Sequence, residues 1–351
     1  MSNGKTQRAV RASDVVSLTD RLRQGYDSPP KLHAKADWKR QPIQSKDFLS
    51  ILDLTPDELE RLLALAGAMK RDRAAGRVGA QPLAGRHLAL LFEKPSLRTR
   101  TTFVIATREL GGEVVEPPPD VAFSPRESVE DVARNLERWV AAAVVRTFAQ
   151  EQLARFAAAA PNLHVVNALT DEEHPCQALA DLMTLQEKLG SLVGRTLVYV
   201  GDGNNVAASL AHAGAMLGLH VRLASPKGYE LPAAVALAAR RVARHGATVT
   251  VTHDPRKAVA GADAVYTDVW ASMGQEKQAK RRMRAFRTFQ VNEALMSAAG
   301  SQALFMHCLP AHRGLEVTDA VMDSPSSIVF DQAENRLHAQ KALLAMLIAK
   351  P

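Results

Sequence analysis

The sequence predicts an α/β protein: two doubly wound parallel-sheet domains joined by helices, with a C-terminal helix packing back on the first domain. Three observations predict this. At 351 residues the chain is too long for one typical core. After Lys46, short apolar runs alternate with segments of helical periodicity, the pattern of βα units. That alternation runs twice, on either side of one long helical stretch, Cys176–Lys188, which Gly190 ends. There is no fixed-period repeat, only two similar halves. The expected units are a basic, poorly ordered extension (1–46), a first domain (47–181), a second domain (182–328) and the closing helix (329–351).

Taken in order, Thr55-Pro56-Asp57-Glu58 is a helix start: a Thr cap, Pro at the first position and Glu three residues after the cap. Leu59, Leu62, Leu63, Ala66 and Met69 then give one apolar face. Expected strands of the first half are His87–Phe92, Glu113–Glu116, Ala142–Arg146 and His164–Asn167. Helical patterns near Thr99–Leu110, Ser128–Val140 and Gln150–Ala159 separate them. Gly111-Gly112 stops the first, and Ser128 with Asp131 starts the second. The second half offers strands at Thr196–Val200, His220–Ala224, Thr248–Thr252, Ala264–Thr267, Leu304–His307 and Ile328–Phe330. A last helix runs from about Ala333 to Ala349.

Composition narrows the class. Apolar residues make up 46% and charged residues 23%, a globular balance, and no run is apolar enough to span a membrane. The net charge of +7 is concentrated at the start: residues 1–46 hold ten Lys/Arg against four Asp, leaving the rest near +1. The tail therefore reads as a solvated extension rather than a nucleic-acid arm. Its spread of Asp14, Asp20, Asp27 and Asp37 is unlike an acid-poor transit peptide. Two cysteines make no disulfide framework, so a cytoplasmic location is expected.

Ligands of open α/β sheets bind beyond the carboxyl ends of the strands, so the polar residues there are the candidates. Six strand ends carry such groups. The first leads into Ser96-Leu97-Arg98-Thr99-Arg100, two hydroxyls and two guanidiniums opening a helix. Free N–H groups and Arg forks suit a phosphate, and Arg146 ends another strand. His174-Pro175-Cys176-Gln177 puts an oxyanion donor and an amide at a helix start. Gly201-Asp202-Gly203-Asn204-Asn205 is an imperfect dinucleotide fingerprint, since Val206 stands where the third glycine belongs and no acidic residue closes the next strand. Its asparagines suit a zwitterionic ligand instead. Asp268 could hold an ammonium group and Ser272 a carboxylate. The basic stretch 277–287 reads as a solvated helix face. Cys308 beside His307 lacks a second pair of zinc ligands, so no metal is expected.

Together these strings resemble the aspartate/ornithine transcarbamylase family, most closely its ornithine-using branch, over roughly residues 47 to 351. The carrying motifs are Phe92–Arg100, His174–Gln177, Gly201–Asn205, Asp268–Glu276 and His307–Pro310, with Glu334-Asn335-Arg336 near the end. The resemblance implies carbamoyl transfer from carbamoyl phosphate to ornithine without a cofactor. It implies that Ser96, Leu97, Arg98, Thr99, Arg100 and Arg146 hold the phosphate. His174, Gln177, Arg336, Cys308 and Leu309 would hold the carbamoyl end, with Arg98, Thr99, His174 and Cys308 at the reaction itself. Asn205, Asp268, Ser272 and Met273 would hold ornithine. It further implies a carbamoyl-phosphate-binding first domain, an ornithine-binding second domain and a homotrimer or multiple of trimers. Ala122 stands where the family often places a Gln or His lent to a neighbouring subunit. Other acceptors (aspartate, putrescine, a modified ornithine), a dinucleotide-dependent dehydrogenase and a non-enzymatic binding protein are the alternatives.

Overall fold

The computed structural model describes residues 42–118, 123, 126–271 and 279–348. Residues 1–41 of the expected extension, Ala122, Ser272 and Met273 lie outside the described residues. Residues 42–46 are not a loose tail, since Ile43 is buried and Lys46 Nζ donates to the Ala160 and Leu163 carbonyls at 2.9 Å.

The first sheet holds β1 (His87–Phe92), β2 (Glu113–Val115), β3 (Ala142–Arg146) and β4 (His164–Leu169) in the order β2-β1-β3-β4. The second holds β5 (Thr196–Val200), β6 (His220–Ala224), β7 (Val249–Thr252), β8 (Ala264–Thr267) and β9 (Leu304–His307) in the order β7-β6-β5-β8-β9. Every pairing is parallel. Strands β3, β5 and β8 are buried along their whole length, as continuous apolar runs covered on both faces must be. The strand order reverses between β1 and β3 and between β5 and β8. A doubly wound sheet opens its ligand crevice at that reversal.

Helices of the first half are α1 (Pro56–Ala74), α2 (Leu97–Glu109), α3 (Val129–Leu136) and α4 (Gln150–Ala159), followed by α5 (Pro175–Leu189). The second half adds α6 (Asn205–Met216), α7 (Ala233–Arg241), α8 (Pro255–Val259), α9 (Ala279–Phe286), α10 (Glu293–Ala299) and α11 (Asp319–Met322), and α12 (Val329–Ile348) closes the chain. Local chemistry sets their starts. Thr55 and Glu58 form the expected capping box of α1. Ser96 caps α2, Ser128 caps α3 and Asn204 caps α6. Gly111 stops α2 at φ +85°, where an added Cβ would lie 2.8 Å from the Gln81 side chain.

The chain end departs from expectation. Residues 328–330 form no strand. Ser327 makes a single bridge to Phe305, and the chain turns into α12 at Val329. The apolar Ile-Val-Phe run looks like a strand, but its residues open a helix that is buried almost throughout. α12 packs on α1, α2 and α5. Lys341 Nζ donates to Glu109 Oε2 at 2.6 Å, and Arg86 Nη1 takes the Ile348 carbonyl at 2.6 Å. This docking carries Gln332 and Arg336 inward to the strand ends. The basic stretch is not wholly a solvated face either: Arg282 of α9 is buried and paired with Asp202 at 2.7 Å.

Candidate active site

Three guanidiniums meet beyond β1 and β3. Arg98 lies in the first turn of α2, Arg146 ends β3, and Arg336 comes from α12. Burial holds the Arg146 guanidinium down to about 10, and Arg336 and Arg98 push in the same direction. Arg98 and Arg336 are also lowered, chiefly by burial. Arg146 Nε has no hydrogen-bond partner. A buried cluster of like charges is costly unless an anion completes it.

Arg336 joins two motifs that lie far apart in sequence. Its Nη2 donates to Thr99 Oγ1 at 2.8 Å, and its Nη1 donates to Gln177 Oε1. Thr99 belongs to the helix capped by Ser96, whose Oγ accepts the Thr99 N–H at 3.3 Å. Beside them His174 caps α5 through its backbone only. Its Nδ1 has no partner. Burial, then the neighbouring Arg336, Arg146 and Lys94, holds this imidazole well below its ordinary value, so it is neutral at working pH.

The second half contributes the opposite wall. Cys308 Sγ donates to Asp268 Oδ1 at 3.0 Å, and Asn204 Nδ2 donates to Asp268 Oδ2 at 2.8 Å. Burial and the Asp268 carboxylate push the Cys308 thiol well above its ordinary value, so it is a protonated donor rather than a nucleophile. Leu309 follows at φ +57°, its N–H donating to His307 Nδ1 at 2.8 Å. Asp268, His307 and Cys308 bring ligand atoms within 4.8 Å of one another, but the bonds just named already occupy His307 Nδ1 and the thiol.

Two sequence profiles of one family match this chain. The aspartate/ornithine carbamoyltransferase carbamoyl-P binding domain covers residues 46–187, and the Asp/Orn binding domain of the same family covers residues 193–347. The chain belongs to the aspartate/ornithine carbamoyltransferase family. Among similar proteins, an ornithine carbamoyltransferase of Anoxybacillus flavithermus is 49% identical over 308 residues, covering 87% of this chain and 98% of the relative. One from Parafrankia sp. is 51% identical over 308 residues, covering 87% and 97%. The solved ornithine carbamoyltransferase from Pyrococcus furiosus superposes with a TM-score of 0.84 at 47% identity, covering 88% of this chain and 98% of that one.

Not every residue expected from the carbamoyltransferase motifs converges. Thr99 and Gln177 each accept a bond from Arg336, and Arg98, Arg146, His174 and Cys308 interact electrostatically with that guanidinium. Leu97, the first residue of α2, is 77% exposed, so its side chain does not join the cluster. Arg100 is exposed and paired with Glu116, away from the other guanidiniums. Asn205 is drawn aside as well: its Nδ2 donates to the Thr170 carbonyl at 2.6 Å, and Asn204 takes the position beside Asp268. In the glycine-rich turn, a Cβ on Gly203 would lie 2.2 Å from the Leu231 backbone nitrogen. That glycine admits a neighbouring loop, which explains the fingerprint without a dinucleotide.

Several buried polar residues had no role in the sequence reading, Lys94 being noted only as part of the Phe92–Arg100 motif. Lys94 is 4% exposed, lies 4.0 Å from the Phe148 ring centroid and donates to Asp171 at 2.6 Å. Glu173 accepts from Ser50 Oγ, the Ile51 N–H at 3.3 Å and Ser209 Oγ at 2.8 Å, and lies 3.4 Å from His212. Ser209 Oγ in turn accepts the His174 N–H at 3.0 Å. Asp181 and Gln332 are likewise enclosed. For Asp181 and Gln332, a charged or amide residue inside an otherwise apolar helix was the available signal, but sequence alone does not say whether such a residue faces solvent or a partner.

Proposed function

We infer that this chain transfers the carbamoyl group of carbamoyl phosphate to the δ-amine of L-ornithine, giving L-citrulline and phosphate. The observation that carries the reading is Arg336, which ties the anion-suited turn at Thr99 to the amide of Gln177. The shared name of the similar proteins, matched over nearly their whole lengths, supports ornithine as acceptor.

In this reading Ser96, Arg98, Thr99, Arg146 and the backbone at Leu97 hold the phosphate, while Arg100 stays with Glu116 unless that pair opens. His174, Gln177, Arg336 and the Cys308-Leu309 backbone hold the carbamoyl end. Asp268, with Asn204 beside it, receives the amino acid; Asn205 joins if its bond to Thr170 opens, and the family motif assigns Ser272 and Met273 to the same ligand. The unprotonated amine attacks the carbamoyl carbon. The new C–N bond forms, negative charge gathers on the carbonyl oxygen, the bond to the phosphate oxygen breaks, and the amine proton is released. Arg98, Thr99, Arg336 and neutral His174 are the donors for that oxygen. Positioning and fixed electrostatics do the work, and the step balances without a cofactor.

Residues 47–181 and 182–328 form the two substrate domains in this proposal, with 329–351 returning to the first. A homotrimer or a multiple of trimers is the assembly, to be read by light scattering. The free cysteines Cys176 and Cys308 favour the cytoplasm, and no helix among the described residues is long and apolar enough to cross a membrane. The test is citrulline formation from carbamoyl phosphate and ornithine, with aspartate and putrescine in parallel. Wild-type citrulline with Arg98→Ala slowed at least about 100-fold is the expected result. A putrescine rate above the ornithine rate would overturn the acceptor.

A further inference from the structure

Gln177 carries an amide with two chemically different ends, and its neighbours decide which end faces the reacting group. The deciding chain starts at a backbone donor that cannot reverse. The His307 N–H donates to Gln332 Oε1 at 3.0 Å. That leaves Gln332 Nε2 on the far side, where it donates to Asp181 Oδ1 at 2.8 Å. Gln177 Nε2 donates to the same Oδ1, also at 2.8 Å. With its nitrogen held there, Gln177 turns Oε1 the other way, to Arg336. A flipped Gln177 would set its oxygen against the Asp181 carboxylate and its N–H groups against a guanidinium. Asp181 is 0% exposed, Gln177 and Gln332 1% and Arg336 2%, so bulk solvent cannot relieve either clash.

We propose that Asp181, itself oriented by Gln332, is a positioning residue for donor specificity: it holds Gln177 with its carbonyl oxygen toward the donor, so that the site selects an NH2 on the acyl phosphate and rejects a methyl in its place. This deepens the carbamoyl-transfer reading and rests on it. A carbonyl oxygen has two lone pairs. Arg336 takes one, and the carbamoyl NH2 takes the other. An acetyl group has the same size and places the same carbonyl, but its methyl leaves the second lone pair buried and empty. A site built to bond a group discriminates strongly against the analogue that lacks it.

Two stable phosphonates isolate this one difference. Phosphonoacetamide carries NH2 on its carbonyl, and acetonylphosphonate carries CH3. Binding of each to the full-length protein is measured by calorimetry. The wild type should prefer the amide by about 10- to 100-fold, the worth of one buried partner left empty. Asp181→Asn keeps a carbonyl oxygen able to accept both bonds that now meet at Oδ1, so its preference should stay within about threefold of wild type. Asp181→Ser, with a water in the space left, satisfies Gln177 without directing it. Its preference should fall below about threefold while acetonylphosphonate affinity holds. Equal loss of both ligands in Asp181→Ser would mean a merely structural role and would overturn the proposal. So would a preference as low in Asp181→Asn as in Asp181→Ser. The wild-type comparison needs no variant to fold: equal binding of the two phosphonates sinks this proposal alone. Binding of neither sinks the carbamoyl-phosphate reading and this proposal with it.

Discussion

Replacing Arg146 by Met should make the ligand-free protein more stable and deprive phosphate of its hold on it. Arg146 is 7% exposed, and its Nε has no hydrogen-bond partner. Burial first, and then Arg336 and Arg98, hold its guanidinium down to about 10. The ordinary value is about 12.5, and each pKa unit is worth about 1.4 kcal/mol, so the folded state bears a cost of about 3 kcal/mol for this charge. The sign follows from linkage. The group is lowered on folding, so the unfolded chain holds its proton more tightly, and the cost is present at every pH below about 10. Met keeps an unbranched apolar stem and removes the charge, an exchange that is often stabilising for buried ions. Stability is read by chemical denaturation in phosphate-free buffer and again with inorganic phosphate. The expected result is a gain of up to about 3 kcal/mol without phosphate, from the cost just derived. Phosphate should raise the midpoint of the wild type and leave that of the variant nearly unmoved. Citrulline formation should fall about 100-fold or more. A variant less stable than wild type in phosphate-free buffer would refute the electrostatic reasoning. Equal stabilisation of both proteins by phosphate would refute the placement of the anion.

Two further expectations concern pH and the joint between the halves. Activity should climb from neutral to mildly alkaline pH, because the δ-amine resembles that of lysine, with a value of about 10, and must lose a proton. His174 adds no limb near 6.5, being neutral there already; a flat kcat/KM profile from pH 6 to 9.5, or a limb near 6.5 that vanishes in His174→Gln, counts against this account. Glu173→Ala strands donors from Ser50, the Ile51 backbone and Ser209, and should cost about 3–5 kcal/mol by urea denaturation, as for other broken buried networks. Burial alone would raise the Glu173 carboxyl, but His212, Ser50 and Ser209 hold it below its ordinary value. Its stabilisation is therefore full above about pH 4.3 and is lost as the pH falls further; a deficit under about 1 kcal/mol at neutral pH would show that the network is unimportant.

Much was legible because it is local. The period of apolar residues marked nine strands and most helices. The caps at Thr55, Ser96 and Ser128 are short-range hydrogen bonds written in adjacent residues. Strand ends marked the residues that gather at the proposed site because parallel sheets bring those ends to one edge. Residues 328–330 were misread because an apolar triplet has no period long enough to separate a strand from a buried helix.

Directions and pairings belong to the tertiary structure. Nothing in the string says that Arg100 turns to Glu116 while Arg98, two residues earlier, joins Arg146 and Arg336. A helix turns about 100° per residue, so its docking angle decides which of the two faces the site. Nor does the sequence announce that Arg336 meets Thr99 across 237 positions, or that Gln332 orients Gln177 through Asp181. Those contacts exist because α12 packs back on α1, α2 and α5. Sequence alone determined which residue types stand at each strand end. Packing decided which of them face one another, because a polar group's partner is set by the distances and burial that the assembled fold imposes.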